Sequence, residues 1–180
     1  MFKSDTFWIT KFELSDASKL CHLMKSNSER FQKYFPKTLS QNLTPEDSKA
    51  YILRKAVENK NKIEFTFAIK DNLTQNLAGI IILKDIDNTK QEGELAYAMD
   101  KRFEGKGWAT LAVKELSRYA FETLAQKTLK IITHRTNLGS CKIALKNGYV
   151  WQRTLKNEHT PTNGSPLDME LYELNDSSQY

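Results

Sequence analysis

The chain has 180 residues, 39% of them apolar and 27% charged, which predicts one globular domain over residues 1–180 with a real core and excludes a disordered or fibrous polypeptide. Its longest apolar run, about seven residues from Leu77 to Leu83, is far below the roughly 20 that a bilayer-spanning helix needs. The net charge of +5 is unevenly spread: residues 101–156 hold twelve Lys or Arg against three acids, and residues 157–180 hold five acids and no Lys or Arg. A basic middle suits an anionic ligand, whether a phosphorylated cofactor, nucleic acid or a membrane surface, and equally a solvated basic face.

In chain order, the N-terminus MFKSDTFWIT lacks an apolar run before a small-residue cleavage site, so no secretion signal is expected. Residues 6–14 read as a first strand. Ser15 and Asp16 then offer cap oxygens to a helix carrying Leu20, Leu23 and Met24. Residues 26–43 hold Phe31, Tyr34 and Phe35 without clear periodicity. They are expected, with the loop from His159 to Pro166, to form an acceptor wall or subunit interface, or else a satellite core cluster. Thr44-Pro45-Glu46-Asp47 is a helix start, with a capping hydroxyl, proline at the first position and acids in the first turn. That helix runs to about Asn59. Residues 63–70, 77–84 and 93–100 read as an antiparallel meander of three strands separated by polar turns. From Trp108, apolar residues recur at helical spacing through Leu124. Residues 128–133 form a short buried strand, and the preceding helix acts as a crossover that makes it parallel to strand 93–100. A helix follows from Leu138 to Asn147 and closes at Gly148. Strands 149–155 and 167–174 end the pattern. The prediction is an α+β (mixed α/β) fold with a mixed, largely antiparallel sheet of six to seven strands and helices on its faces.

The stretch DKRFEGKGWAT, residues 100–110, places two glycines and three cations between a strand and a helix. A helix N-terminus leaves N–H groups unpaired and carries a partial positive charge, and glycines let successive N–H groups turn one way, so this is a phosphate site in principle. A GxxxxGK[ST] loop is excluded because Gly107 and Trp108 follow Lys106. A GxGxxG dinucleotide loop is excluded because position 110 is Thr and a meander precedes the loop. Arg102-Phe103-Glu104-Gly105-Lys106-Gly107 does match Arg-x-x-Gly-x-Gly at every fixed position.

With that loop, the "SDA" helix start, the strand GELAYAMD and the later block Asn137…Ser140…Asn147-Gly148-Tyr149, nearly the whole sequence resembles the GNAT superfamily of N-acetyltransferases, and more closely its ribosomal-protein N-terminal (alanine/serine) acetyltransferase branch. The resemblance implies a single-domain fold whose sheet splays after the fourth strand, with acetyl-CoA as cosubstrate. It implies that the pyrophosphate meets the amides of Phe103, Glu104, Gly105, Lys106, Gly107 and Trp108, with Arg102 beside them. Tyr97, Ala98 and Met99 would pair with the pantetheine arm like an added strand, Asn137 would bind its amides, and Lys142 would approach the 3′-phosphate end or simply lie on the surface. One departure is visible: Ala96-Tyr97-Ala98 stands where relatives often have Gly-Tyr-Trp, leaving room near the acyl group or acceptor.

Acetyl transfer to an amine needs a base, close approach of the amine, an oxyanion donor and help for the departing thiolate. The resemblance implies Glu94 as base, with Glu158 in reserve, and Ser140 as the group assisting the thiolate, with Tyr97 as alternative. The competing reading of Glu94 is a strand carboxylate paired with a lysine. For Ser140 and Asn137 it is plain helix capping. The acceptor implied is a protein N-terminal amine of the ribosomal-protein type. A polyamine, aminoglycoside or other small amine is the alternative, and a non-catalytic acyl-CoA-binding regulatory module is the rival of a different class. No nucleic-acid-binding motif is present. The histidines lack metal-ligand spacing, so no metal is expected. Cys21 and Cys141 are expected to be reduced, in a cytoplasmic protein without membrane attachment, with Cys141 buried. A homodimer or larger homo-oligomer is compatible with the resemblance.

Overall fold

The computed structural model describes residues 2–161 and 164–176. The loop expected between His159 and Pro166 therefore has its tip, Thr162 and Asn163, outside the described residues. Among the described residues, eight strands and six α-helices follow in chain order: β1 (Phe2–Lys3), β2 (Phe7–Thr10), α1 (Ala17–Ser26), α2 (Ser28–Tyr34), α3 (Pro36–Ser40), α4 (Pro45–Lys60), β3 (Phe65–Asp71), β4 (Leu77–Asp87), β5 (Glu92–Met99), α5 (Trp108–Glu122), β6 (Thr128–Thr133), α6 (Leu138–Lys146), β7 (Val150–His159) and β8 (Leu167–Asn175). The hydrogen-bonded strand order is β1-β2-β3-β4-β5-β6-β8-β7. One strand more than expected is present, the two-residue β1, too short to leave a periodic signal. The mixed α/β class holds, but the strand expected over residues 6–14 spans only Phe7–Thr10, and α2 and α3 lie within residues 26–43, where no periodicity marks a helix. Among the described residues no helix is long and apolar enough to cross a membrane.

The chain forms two compact units, Met1–Ile82 with Tyr97–Ala109, and Leu83–Ala96 with Thr110–Tyr180. In the first, β2 pairs antiparallel with β3, Phe7 opposite Asp71 and Ile9 opposite Ile69, over a core that includes Leu20, Leu23, Met24, Tyr51 and Phe67. The helix start at Thr44 is as expected: its hydroxyl accepts the Asp47 N–H (3.1 Å) and Asp47 returns the bond to the Thr44 N–H (3.0 Å), a reciprocal box worth about 1 kcal/mol. The first helix starts where expected: α1 begins at Ala17 with Asp16 as its N-cap residue, but no side-chain oxygen caps it. A 3-10 turn at Leu14–Asp16 precedes α1, and the Asp16 carboxylate, buried and ion-paired to Lys70 (2.8 Å), receives the Glu13 N–H (2.9 Å) in place of a helix amide. Gly79 is forced by packing: a Cβ there would lie 2.5 Å from Met99 Sδ and 2.6 Å from the Ala98 carbonyl.

In the second unit, β6 runs parallel to β5 and antiparallel to β8, and β8 pairs antiparallel with β7. The parallel strand confirms the crossover. The β5–β6 ladder pairs Glu92 with Thr128, Gly93 with Leu129 and Glu94 with Lys130. Ala112, Val113, Leu116 and Ala120 are buried along α5, and its buried Ser117 meets the Tyr149 hydroxyl at 2.8 Å.

Candidate functional site

In the first unit the loop after β5 is built backbone-first. Asp100, buried, donates its N–H to the Ala78 carbonyl (2.8 Å) and so fixes the end of β5 against β4. Its carboxylate accepts the Arg102 N–H (3.0 Å) and grips the Arg102 guanidinium (Nη2 to Oδ2, 2.6 Å). Burial alone would raise the Asp100 pKa, but these bonds outweigh it and hold the carboxyl below its ordinary value. Gly105 and Gly107 both have φ of +76°, the left-handed region that side chains resist, and a Cβ at either would meet nothing within 4 Å. The glycines are therefore not crowded by the protein. They set the backbone direction and leave open space in front of the α5 N-terminus. Such a cradle fits a pyrophosphate.

The side chains of this loop do other work. Phe103 and Trp108 are buried and stacked at 5.2 Å, and Trp108 stacks on Phe7 at 5.1 Å. Lys106 is exposed and lies over both rings, 4.9 Å from Phe103 and 5.2 Å from Trp108. Phe103 and Trp108 thus have only their backbones to offer a phosphate, and Arg102 is committed to Asp100 where the sequence suggested a phosphate contact. Ala98 and Met99 are buried, and the Met99 carbonyl accepts from Arg30. Tyr97 is half-buried. Phe31 is buried, edge-on to the half-buried Phe35 at 6.2 Å, so this aromatic is a core residue.

In the second unit Glu94 sits on β5 with its side chain 16% exposed, 2.9 Å from Lys84 Nζ on β4. Burial raises its pKa; Lys84 opposes, and the negative charges of Asp85 and Glu158 add to the rise. The net direction is upward, which suits a group that must take a proton near neutral pH. The lysine partner that the competing reading expected is present as well. Lys84 itself is pulled down by burial but held above its ordinary value by Glu94 and Asp85. Glu158 is exposed on β7. Asn137 caps α6, its Oδ1 accepting the Ser140 N–H (3.3 Å). Ser140 is buried on the first turn, and Lys142 is exposed one turn along. Cys141 is half-buried, where full burial was expected. It touches the Tyr172 hydroxyl, and burial together with that contact pushes the Tyr172 phenol up to about 12. A cleft of about 400 Å³ lined by Ser117, Arg118 and Phe121 of α5 and Leu174 of β8 contains none of these residues. Among the described residues no group of three His, Cys, Asp or Glu could hold a metal ion.

The model of the family described as "Acetyltransferase (GNAT) domain" matches residues 7–150. The chain belongs to the GNAT acetyltransferase family. As a GNAT protein it is an acetyl-CoA-dependent N-acetyltransferase, and the glycine cradle fits that cosubstrate. The chain is 27% identical over 168 residues to the Bacillus subtilis (strain 168) protein named "Putative ribosomal N-acetyltransferase YdaF", covering 92% of this chain and 89% of the relative. Its fold is similar to that of ribosomal-protein-S5-alanine acetyltransferase from Vibrio fischeri (TM-score 0.91, 20% identity, 99% and 98% of the two chains). It is also similar to the microcin C7 self-immunity acetyltransferase MccE, solved with acetyl-CoA and AMP (TM-score 0.85, 23% identity, 96% and 94%).

Sequence reasoning missed Lys84, Asp100, Asn27 and Arg30. Asp100 carried a local signal, an acid just before a turn with Arg102 two residues on. Arg30 carried none, since its partners at the loop, Met99 and Glu104, lie about 70 residues away.

Proposed function

We propose that this acetyltransferase modifies the N-terminal amine of a protein, of the ribosomal-protein type, with Glu94 as general base. The observation that carries the reading is Glu94 itself, a mostly buried carboxyl on β5 whose burial raises its pKa. The relatives named as ribosomal-protein acetyltransferases support the choice of acceptor. Acetyl-CoA supplies the activated acyl group as a thioester. The amides of residues 103–108 would hold its pyrophosphate, the backbone of Tyr97 and Met99 (Ala98 turns its carbonyl to Gly79 on β4) and the Asn137 amide its pantetheine arm, and Glu94, directly or through water, would take the proton that the attacking amine loses. Ser140 would offer its hydroxyl to the sulfur as the C–S bond breaks, leaving an amide and a free thiol. MccE, named for microcin C7 self-immunity and not for a ribosomal protein, favours a second reading, a small-molecule amine acceptor.

The test is thiol release from acetyl-CoA against peptides beginning with Ala or Ser, the same peptides with blocked N-termini, and a panel of polyamines and aminoglycosides. Release with the free peptides alone, and a single acetyl group on the N-terminal nitrogen by mass spectrometry, is expected. Release with the small amines alone would replace the acceptor. CoA binding with no release for any amine would leave an acyl-CoA-binding module.

A further inference from the structure

Arg30, on α2, lies where the first unit's cofactor loop begins. The Asp100 N–H points to β4, so strand alternation sends the backbone groups of Met99 to the opposite edge of β5. There the Met99 carbonyl accepts from Arg30 Nη2. The same nitrogen donates to Asn27 Oδ1 (3.0 Å), and that oxygen also accepts the Lys101 N–H (3.1 Å). The other terminal nitrogen, Nη1, is paired with the Glu104 carboxylate. One guanidinium thus spans the Met99 end of β5 and the residue before Gly105. Its side chain is 33% exposed and that of Glu104 50%. Burial lowers the Arg30 pKa and the charge of Asp100 opposes this, yet an arginine stays charged.

We propose that Arg30 is a direct ligand of the cosubstrate's pyrophosphate, and that Glu104 is the carboxylate this phosphate displaces. The inference rests on the reading of residues 103–108 as the pyrophosphate cradle. Three features carry it. Arg30 stands at the junction of an extended edge and a phosphate loop. Its fork is held on one side by fixed oxygens of Asn27 and Met99, which aims Nη1. The only anion on Nη1 belongs to a half-exposed loop side chain that can swing away. Glu104 is then a competitor, its charge opposing the phosphates in the free loop.

The competition fixes the signs. Removing the guanidinium in R30M weakens CoA binding about 10- to 100-fold, the worth of a charge-assisted contact. R30K keeps the charge but loses the fork and falls between R30M and the wild type. E104Q frees Arg30 and tightens CoA binding a few-fold. S-acetylpantetheine, which lacks the pyrophosphate, separates that contact from the one Arg30 makes to Met99: its KM changes less than the KM for acetyl-CoA in R30M and R30K. The measurement is CoA titration calorimetry on wild type, R30M, R30K and E104Q, with thermal melts to confirm folding and acetyl-group kinetics with both donors. Weaker CoA binding in E104Q would make Arg30–Glu104 a brace of the loop and overturn the proposal, as would unchanged binding in R30M. Should R30M fail to fold, the sign of the E104Q change decides. A wild type that binds no CoA would overturn the cradle reading itself, and this inference with it.

Discussion

Along β5 the chain builds two kinds of site from one strand. Around Glu94 the chemistry is in side chains: a carboxyl, a lysine 2.9 Å away, and the charges of Asp85 and Glu158 acting on it. Beyond Met99 the chemistry is in the backbone: two glycines at φ +76° and a helix start, while Phe103 and Trp108 turn into the core and Arg102 folds back on Asp100. A backbone site is fixed by conformation and tolerates varied side chains around it. A side-chain site is fixed by solvation and neighbouring charge, and a single atom can abolish it. The two should therefore fail differently under mutation.

The largest effect is expected at the side-chain site. Glu94→Gln keeps shape and removes the base, so the maximal rate should fall on the order of 10²–10⁴-fold while CoA affinity barely moves. The wild-type rate should have a low-pH limb whose midpoint lies above the ordinary carboxylate range, and the variant should lack it. Maximal rates of both proteins from about pH 6 to pH 10 check this, a range spanning an α-amine pKa near 8. If the profiles run parallel within a few-fold, the amine arrives neutral and the site contributes proximity alone.

At the backbone site the loss should appear in binding. A valine at position 105 or 107 meets no protein atom within 4 Å, so the damage comes from the strained φ and from a side chain filling the space left for phosphate. A β-branched residue at positive φ costs roughly 1–3 kcal/mol. CoA affinity should drop about 10- to 100-fold in Gly105→Val or Gly107→Val, with the rate at saturating acetyl-CoA largely kept. Calorimetry on folded variants decides, and unchanged affinity would mean that the ligand does not approach these glycines.

The same contrast explains what could be read in advance. Features set by neighbours in sequence were legible: the Thr44–Asp47 box, the glycine turn, the crossover that makes β6 parallel. The loop's glycines announced a backbone site because only backbone conformation demands them there. The roles of its side chains were not legible, since Phe103 and Trp108 look alike whether they stack on a ligand or, as here, on each other and on Phe7. At Glu94 the residue was legible and its environment was not. Lys84 is ten residues away across a turn, and Glu158 comes from β7. At the α1 start the position of Asp16 was likewise legible and its partner was not: it is held by Lys70, which no local pattern reveals.

The smallest effect expected in maximal rate is the most informative about environment. The Lys84 ammonium favours the charged form of Glu94, whereas burial, Asp85 and Glu158 all disfavour it. Lys84→Met removes the one favourable charge among these and leaves the rest. The carboxyl pKa must then rise further, and the low-pH limb should move to higher pH, with the plateau rate changed less than a few-fold. Lys130 is not a substitute, because it is committed to Glu92 at 2.5 Å. Glu158→Gln removes a charge that raises Glu94, so its limb should move the opposite way by a smaller amount. Opposite shifts in the two variants, with no limb at all in Glu94→Gln, would assign the limb to Glu94. A limb that stays in place in both would mean that the titrating group is another one, and the ion pair with Lys84 would then be structural.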